Sequence, residues 1–203
     1  AAFRTEYKNM IEYTFGAYPK DSSAVPTIDD IGFKALNIGT ARITGLEISA
    51  NAEGRAGPFS VQFMGGYTYM NPVDPSIIDE VGKDKDESYI LKYRRRHLLK
   101  GDLSLRYRGL FAGINFQYNS KMINVDDVFI DPLFGELIQP GFPEYWSNRS
   151  NGYSLLDARM GWDITKWIRI NSIVRNVFNV EYLGRPGDLG PPRNITVQTR
   201  FKF

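Results

Sequence analysis

Three short stretches carry the residues most able to bind charged or planar groups. The densest basic run is "YRRRHLLK", Tyr93 to Lys100. A guanidinium presents paired donors that match a carboxylate or phosphate, and residues two apart on an extended chain share a face. Arg94 and Arg96 are therefore candidates to meet an anionic ligand from one side of a strand; contact with lipid phosphates or ordinary ion pairing is the alternative. "DDVFID" gathers Asp126, Asp127 and Asp131, oxygen donors of the kind that hold Ca²⁺ or simply solvate a loop. The stretch from Leu133 to Arg149 carries Phe142, Tyr145, Trp146 and Arg149. Such a loop can close over a ligand with its aromatic faces or pack on neighbouring loops.

None of this assembles a reaction centre. His97 is the only histidine and cysteine is absent, so neither a multi-histidine metal site nor thiol chemistry is available. No Ser-His-Asp order and no Walker loop occurs. "GRPGDLGPP" is rich in Gly and Pro, but no helix follows to present its N-terminus to a phosphate. The expectation is a binding protein, not an enzyme, with no cofactor and no metal. A net charge of +2 over 203 residues excludes a strong field for nucleic acid.

The elements that must position these loops are strands. Polar and apolar residues alternate with a period of two, again and again. Phe59, Val61, Phe63, Tyr67 and Tyr69 oppose Ser60, Gln62 and Thr68. Leu46, Ile48 and Ala50 oppose Glu47, Ser49 and Asn51, and Leu103, Leu105 and Tyr107 oppose Ser104, Arg106 and Arg108. The same pattern runs through Leu110–Tyr118, Leu156–Ile164 and Ile168–Tyr182. At the start, Phe3, Tyr7, Ile11, Tyr13 and Phe15 read as one face of a single strand. With the terminal stretch this makes about eight strands. Several reach ten residues or more, longer than the usual strand and suited to a tilted membrane crossing. No apolar run is long enough for a membrane helix.

The connections alternate as well. They are short at Glu53–Pro58, Arg108–Leu110 and Thr165–Trp167, and long at Pro19–Lys34, Asn71–Ser88, Asp126–Asn151 and Gly184–Pro192. Long and short in strict turn put all long loops at one end of an up-and-down sheet, the asymmetry of an outer-membrane barrel. Tyr and Trp gather near strand ends, where aromatic girdles meet the bilayer interfaces: Tyr67, Tyr69, Tyr107, Trp162 and Trp167. A soluble β-sandwich with an aromatic core is the competing reading.

The chain ends "NITVQTRFKF", with Ile195, Val197, Phe201 and Phe203 on the apolar side. An alternating last strand closed by an aromatic residue resembles the signal read by the bacterial barrel-assembly machinery, which assigns that role to Phe201 and Phe203.

From Arg175 to Phe203 the sequence resembles the C-terminus of TonB-dependent outer-membrane receptors. The matching residues are Asn176, Val177, Phe178, Asn179 and Tyr182, then Arg185, Pro186 and Gly187, then Pro192, Arg193 and Phe203. Upstream, Gly45, Leu46 and Glu47 and the strand "GGYTYMNP" from Gly65 are similar to recurring strands of the same family. The resemblance implies an all-β, antiparallel up-and-down transmembrane barrel of the 22-stranded type. Residues 1–203 would be about eight of its C-terminal strands, with the N-terminal plug and its TonB-grasped segment outside this sequence. It further implies uptake of a scarce nutrient across the outer membrane, a ferric chelate or other metal complex being favoured over cobalamin, glycan or peptide. The implied partners are the TonB complex, the barrel-assembly machinery, outer-membrane lipid and lipopolysaccharide, and in one branch a surface lipoprotein. Two alternatives stay open: a structural barrel subunit of a larger envelope complex, and a complete eight-stranded barrel. In a complete small barrel the strand at 3–15 pairs with that at 193–203; in part of a larger one it does not.

Overall fold

The computed structural model describes residues 1–20, 27–37, 39–81, 88–148 and 151–202. Eight strands form one antiparallel sheet in the order β1-β4-β5-β6-β7-β8-β9-β10. They are β1 (Ala2–Lys8), β4 (Thr40–Ala56), β5 (Phe59–Val73), β6 (His97–Tyr107), β7 (Leu110–Asn119), β8 (Tyr153–Asp163), β9 (Ile168–Arg175) and β10 (Asn194–Phe201). Two more, β2 (Ile11–Ala17) and β3 (Ile31–Asn37), pair only with each other. The sheet is open: β1 and β10 lie at opposite edges and do not pair.

The ladder confirms the alternation strand by strand, because partners directly opposite share a face. One row runs Tyr107, Leu110, Trp162, Ile170, Thr199. The next equivalent row runs Leu105, Ala112, Met160, Ser172, Val197. Phe59, Val61, Phe63, Ile114, Phe116, Ile170, Val174 and Val197 share this apolar face, as their spacing predicts. Gln62, Asn115, Gln117, Asp157, Arg159, Arg169 and Gln198 share the other. Many large apolar side chains stay exposed on the first face: Met160 at 64%, Trp162 at 54% and Val197 at 68%. A β-sandwich would bury such a face under a second sheet. Hydrocarbon is the environment that suits it. From Phe59 to Tyr69 the strand extends roughly 33 Å, which a tilt of about 40° projects to about 25 Å, the height of the apolar band of such barrels.

The polar face is tied by ion pairs. Arg159 grips both oxygens of Asp102 at 2.7 and 2.6 Å and reaches Ser104 Oγ at 2.7 Å. Arg169 holds Asp163 in the same two-pronged way. The Arg106 and Arg159 guanidiniums both lie against the Phe111 ring, 5.7 and 5.6 Å from its centre. Charges so placed belong to a wetted lumen wall and not to a lipid face.

The first strand departs from its predicted form in two ways. Phe3–Phe15 is not one strand: Asn9 takes a φ of 56° and divides β1 from β2. The pairing does not slip across the break, since Lys8 faces Thr40 and Ile11 faces Asn37. The apolar set of β1 also lies on the unexpected side. Phe3 opposes Gly45 on the lumen face, and its ring fills the space where a side chain at 45 would stand. This is the physical content of the Gly-Leu-Glu signature: Gly45 yields its side-chain volume to Phe3. Arg4, Glu6 and Arg42 share the outward face and pair at 2.6 and 2.9 Å.

Three other boundaries differ. The Pro19–Lys34 connection contains β3 from Ile31, and β4 begins at Thr40, well before Leu46. The strand read as Ile168–Tyr182 stops at Arg175, because Asn176 and Asn179 take φ values of 50° and 51°. A helix, α1 (Pro75–Val81), follows β5, and the long third connection holds three short ones: α2 (Asp127–Ile130), α3 (Phe134–Ile138) and α4 (Phe142–Asn148).

Candidate functional site

The tight turns near Gly57, Arg108 and Thr165 sit at one end of the sheet, and the long connections meet at the other. There the described loops form a packed cap. Phe129, Phe142 and Leu183 are its buried centre, with Phe15, Val128, Ile138, Tyr145 and Trp146 against them. The Phe15 ring reaches Phe129 at 4.9 Å, which seats the β2–β3 hairpin on α2.

Polar clasps join the cap to the sheet. Buried Asp126 accepts from the Lys92 ammonium, the Tyr93 hydroxyl and the Phe15 amide, so two other chain segments converge on one carboxylate. Burial first, then the hydrogen bond to Asp126, pushes the Tyr93 phenol far above its ordinary range and keeps it a donor. Arg95 donates to the carbonyls of Ser120 and Leu183 and stacks over Tyr153 at 4.9 Å, fastening two loops to β8. Burial lowers its pKa.

The last connection is built around two asparagines. Asn176 is buried; its amide group donates to Val180 O at 2.8 Å and accepts from Val180 N at 2.8 Å. Asn179 Oδ1 accepts from the Arg193 amide at 2.8 Å. Asparagine tolerates the left-handed backbone and bonds its own neighbours, which is why the motif carries it twice. Further along, Arg185-Pro186-Gly187-Asp188 makes a tight turn closed by Asp188 N to Arg185 O at 2.9 Å. Proline first and Gly187 second, with φ 80°, is the residue pattern of a type II turn.

Between this turn and the β2–β3 hairpin lies a cavity of about 740 Å³. Glu12, Tyr13 and Phe33 form one wall, Tyr93 and Arg94 another, and Gly184 to Asp188 a third. Arg94 pairs with Glu12 at 2.6 Å. Desolvation raises the Glu12 carboxyl above its ordinary value despite the opposing pull of Arg94.

Of the five residues expected to bind ligand, Arg94 lines this cavity. Arg96 lies half-buried just before β6, with its carbonyl accepting from Met70 N at 2.9 Å. Tyr145 and Trp146 come together in the cap core: Trp146 stacks on Phe142 at 6.0 Å under the Lys121 ammonium, and Tyr145 Oη accepts from Leu183 N at 3.2 Å. Arg149 falls outside the described residues. Phe201 opposes Ile168 on the apolar face, and Phe203 again lies outside them. The acids of "DDVFID" divide their work, since Asp131 caps α3 through the amides of Leu133 and Phe134 while Asp126 holds the clasp. Among the described residues no group of three metal-binding side chains converges. Arg185 and Asp188 were not singled out as site residues; the turn residues Pro186 and Gly187 between them were the available signal.

Solved structures share this fold. The ferric-catecholate import receptor Fiu of E. coli K12 superimposes with a TM-score of 0.60 at 21% identity, covering 100% of this chain and 24% of that protein. The pyoverdine outer-membrane receptor FpvA of Pseudomonas aeruginosa, bound to pyoverdine, gives 0.57 at 20% identity, with 100% and 26% covered. The outer-membrane transporter YddB of Escherichia coli gives 0.58 at 9% identity, with 100% and 30% covered. The chain therefore spans about a quarter of the first two proteins. No curated protein matches it. The sequence model described as "TonB dependent receptor-like, beta-barrel" matches residues 1–180, and the chain belongs to that family of outer-membrane barrels.

Proposed function

We propose that this chain is the C-terminal portion of a larger receptor barrel that imports a scarce nutrient, with a ferric chelate as its cargo. The carrying observation is the cavity at the long-loop end, where Arg94 and Arg185 stand beside Tyr13 and Tyr93. Cations beside aromatic faces suit an anionic, ring-bearing chelate. Membership of the family supports energy supply through TonB; Fiu is by name a ferric-catecholate import receptor and FpvA a pyoverdine outer-membrane receptor. Two unpaired sheet edges, β1 and β10, support a larger barrel, because an open edge cannot be satisfied in hydrocarbon. Tyr145 and Trp146 shape the cap in this reading, and Arg94 is the residue nearest to ligand. Arg96 and Arg149 are proposed as further contacts.

The test is uptake by cells carrying the full gene. Labelled ferric chelates should accumulate in a TonB-dependent way, and Arg94→Gln together with Arg185→Gln should weaken binding about tenfold or more. Uptake unchanged by loss of the gene, across catecholate, hydroxamate and mixed chelates, would overturn the assignment. Deleting Phe203 tests the assembly role separately: the receptor should then accumulate in the periplasm, and unchanged outer-membrane levels would remove that role.

A further inference from the structure

The outward face holds a second concavity of about 600 Å³, at the tight-turn end and on the side away from the lumen. It arises where small residues interrupt two apolar rows. Ala112 sits low between Leu105 and Met160, and Ser172 beyond Met160, in one row, and Tyr107, Leu110, Trp162 and Ile170 wall it in the next. Its strands, β5 to β9, all have both neighbours within this chain, so no further strand of a larger barrel covers it. At its mouth are two neighbouring turns, joined by Asp163 N donating to Gly109 O at 2.8 Å. Each turn carries an exposed cation over an aromatic ring: Arg108 at 5.2 Å from the Tyr107 centre and Lys166 at 4.8 Å from the Trp167 centre. Asp163, at the end of β8, faces the lumen and is engaged by Arg169.

We propose that this groove is a binding site for one anionic glycerophospholipid of the periplasmic leaflet. An acyl chain lies in the groove over Ala112, and Arg108 and Lys166 hold the phosphate head. The assignment rests on the membrane placement above and on tight turns facing the periplasm. It does not depend on what the receptor imports. The apolar groove selects a hydrocarbon chain, and the paired cations at interface height select negative charge over a zwitterion. Both features on adjoining turns distinguish this patch from the outward Arg4–Glu6–Arg42 group, whose two cations already pair with a carboxylate.

The test uses the full-length receptor in bilayer discs of phosphatidylethanolamine doped with phosphatidylglycerol, followed by stepwise detergent exchange and native mass spectrometry. One phosphatidylglycerol per barrel should survive delipidation. Arg108→Gln with Lys166→Gln should lower its retention about thirtyfold. Ala112→Trp, which fills the groove while keeping both cations, should also release it. Arg55→Gln, a basic residue of the first tight turn on the lumen face, should leave it bound. Heat-modifiable gel migration reports folding for each variant. No stoichiometric lipid, equal retention of phosphatidylethanolamine, preferential retention of lipopolysaccharide, or equal loss in Arg55→Gln would each overturn the site.

Discussion

In the sheet, order comes from repetition; in the cap, it comes from single residues with no repeat. The strand pairs follow one another without a crossover from β4 to β10, and along the ladder most apolar side chains point outward and most polar ones inward, with Ser172 and Phe111 among the exceptions. Loss of one rung leaves the rule intact. The cap holds together through Asp126 and Arg95, which tie segments distant in sequence, and through Asn176, which closes the last connection on itself. There a single substitution removes a whole junction. A scaffold that tolerates drift therefore carries a loop assembly that does not.

The sharpest way to break this contrast is to put a charge on each face of one strand. Ile114 is 44% exposed and outward, with Leu103 and Ala158 beside it; Asn115 is its lumen-facing neighbour. Ile114→Arg should cost about 2–4 kcal/mol of folding stability if it lies near the bilayer midplane. Asn115→Arg should cost far less, because its environment is already polar. Urea titration of the receptor in lipid vesicles measures both, and equal costs would mean that the two faces are not lipid and lumen.

Next in size is Asn176. Asn176→Ala removes three hydrogen bonds and leaves a left-handed backbone under a side chain that disfavours it, costing about 2–3 kcal/mol locally. Asn176→Gly relieves the backbone part alone and should recover about 1 kcal/mol. Limited proteolysis of residues 176–193 distinguishes the two. Identical sensitivity of both variants would assign the whole effect to the side-chain bonds.

How far each region was legible in the sequence follows from the same contrast. Period two needs only counting, so the facing of Gln62, Asn115, Arg159 and Gln198 is read correctly from spacing. It fails where a single backbone angle intervenes. Asn9 divides the first strand, and nothing in the Phe-Tyr-Ile-Tyr-Phe spacing marks it. Phe3 turns to the lumen because Gly45, far along the chain, makes room for it. The Asn-Val-Phe-Asn stretch alternates well enough to pass for a strand, yet both asparagines serve as turn residues. In the basic run, spacing singles out Arg94 and Arg96 on one side. The arginine that fastens the cap is Arg95, because its partners are backbone carbonyls of Ser120 and Leu183, which leave no mark in composition.

A smaller effect separates the hairpin clasp from the cap core. Asp126→Asn keeps acceptors for Tyr93 and the Phe15 amide but removes the charge that faces Lys92. The expected cost is about 1–2 kcal/mol, confined to opening of β2. Hydrogen exchange should accelerate at residues 11–17 and not at Phe142 or Leu183. Acceleration throughout the cap would show that hairpin and loops open as one unit.

The smallest expected effect is one of pH, at Glu12. Its side chain is 12% exposed, and its partner Arg94 is 36% exposed. Burial raises the carboxyl above its ordinary value, and the Arg94 and Lys92 charges only partly offset this. Between the ordinary and the raised value the closed hairpin holds more protons at Glu12 than the open one. Its stability must then fall as pH rises through that window and recover as pH drops below it. Residues 11–17, corrected for intrinsic exchange rates, should open less often at pH 5 than at pH 7. Glu12→Gln should remove that dependence, since an amide has no proton to lose. Arg94→Gln should strengthen it, because the attraction that opposes burial is gone. Opening that grows as the pH falls, and that Glu12→Gln abolishes, would mean that the Arg94 pair outweighs burial and that the ion pair itself holds the hairpin on the cap.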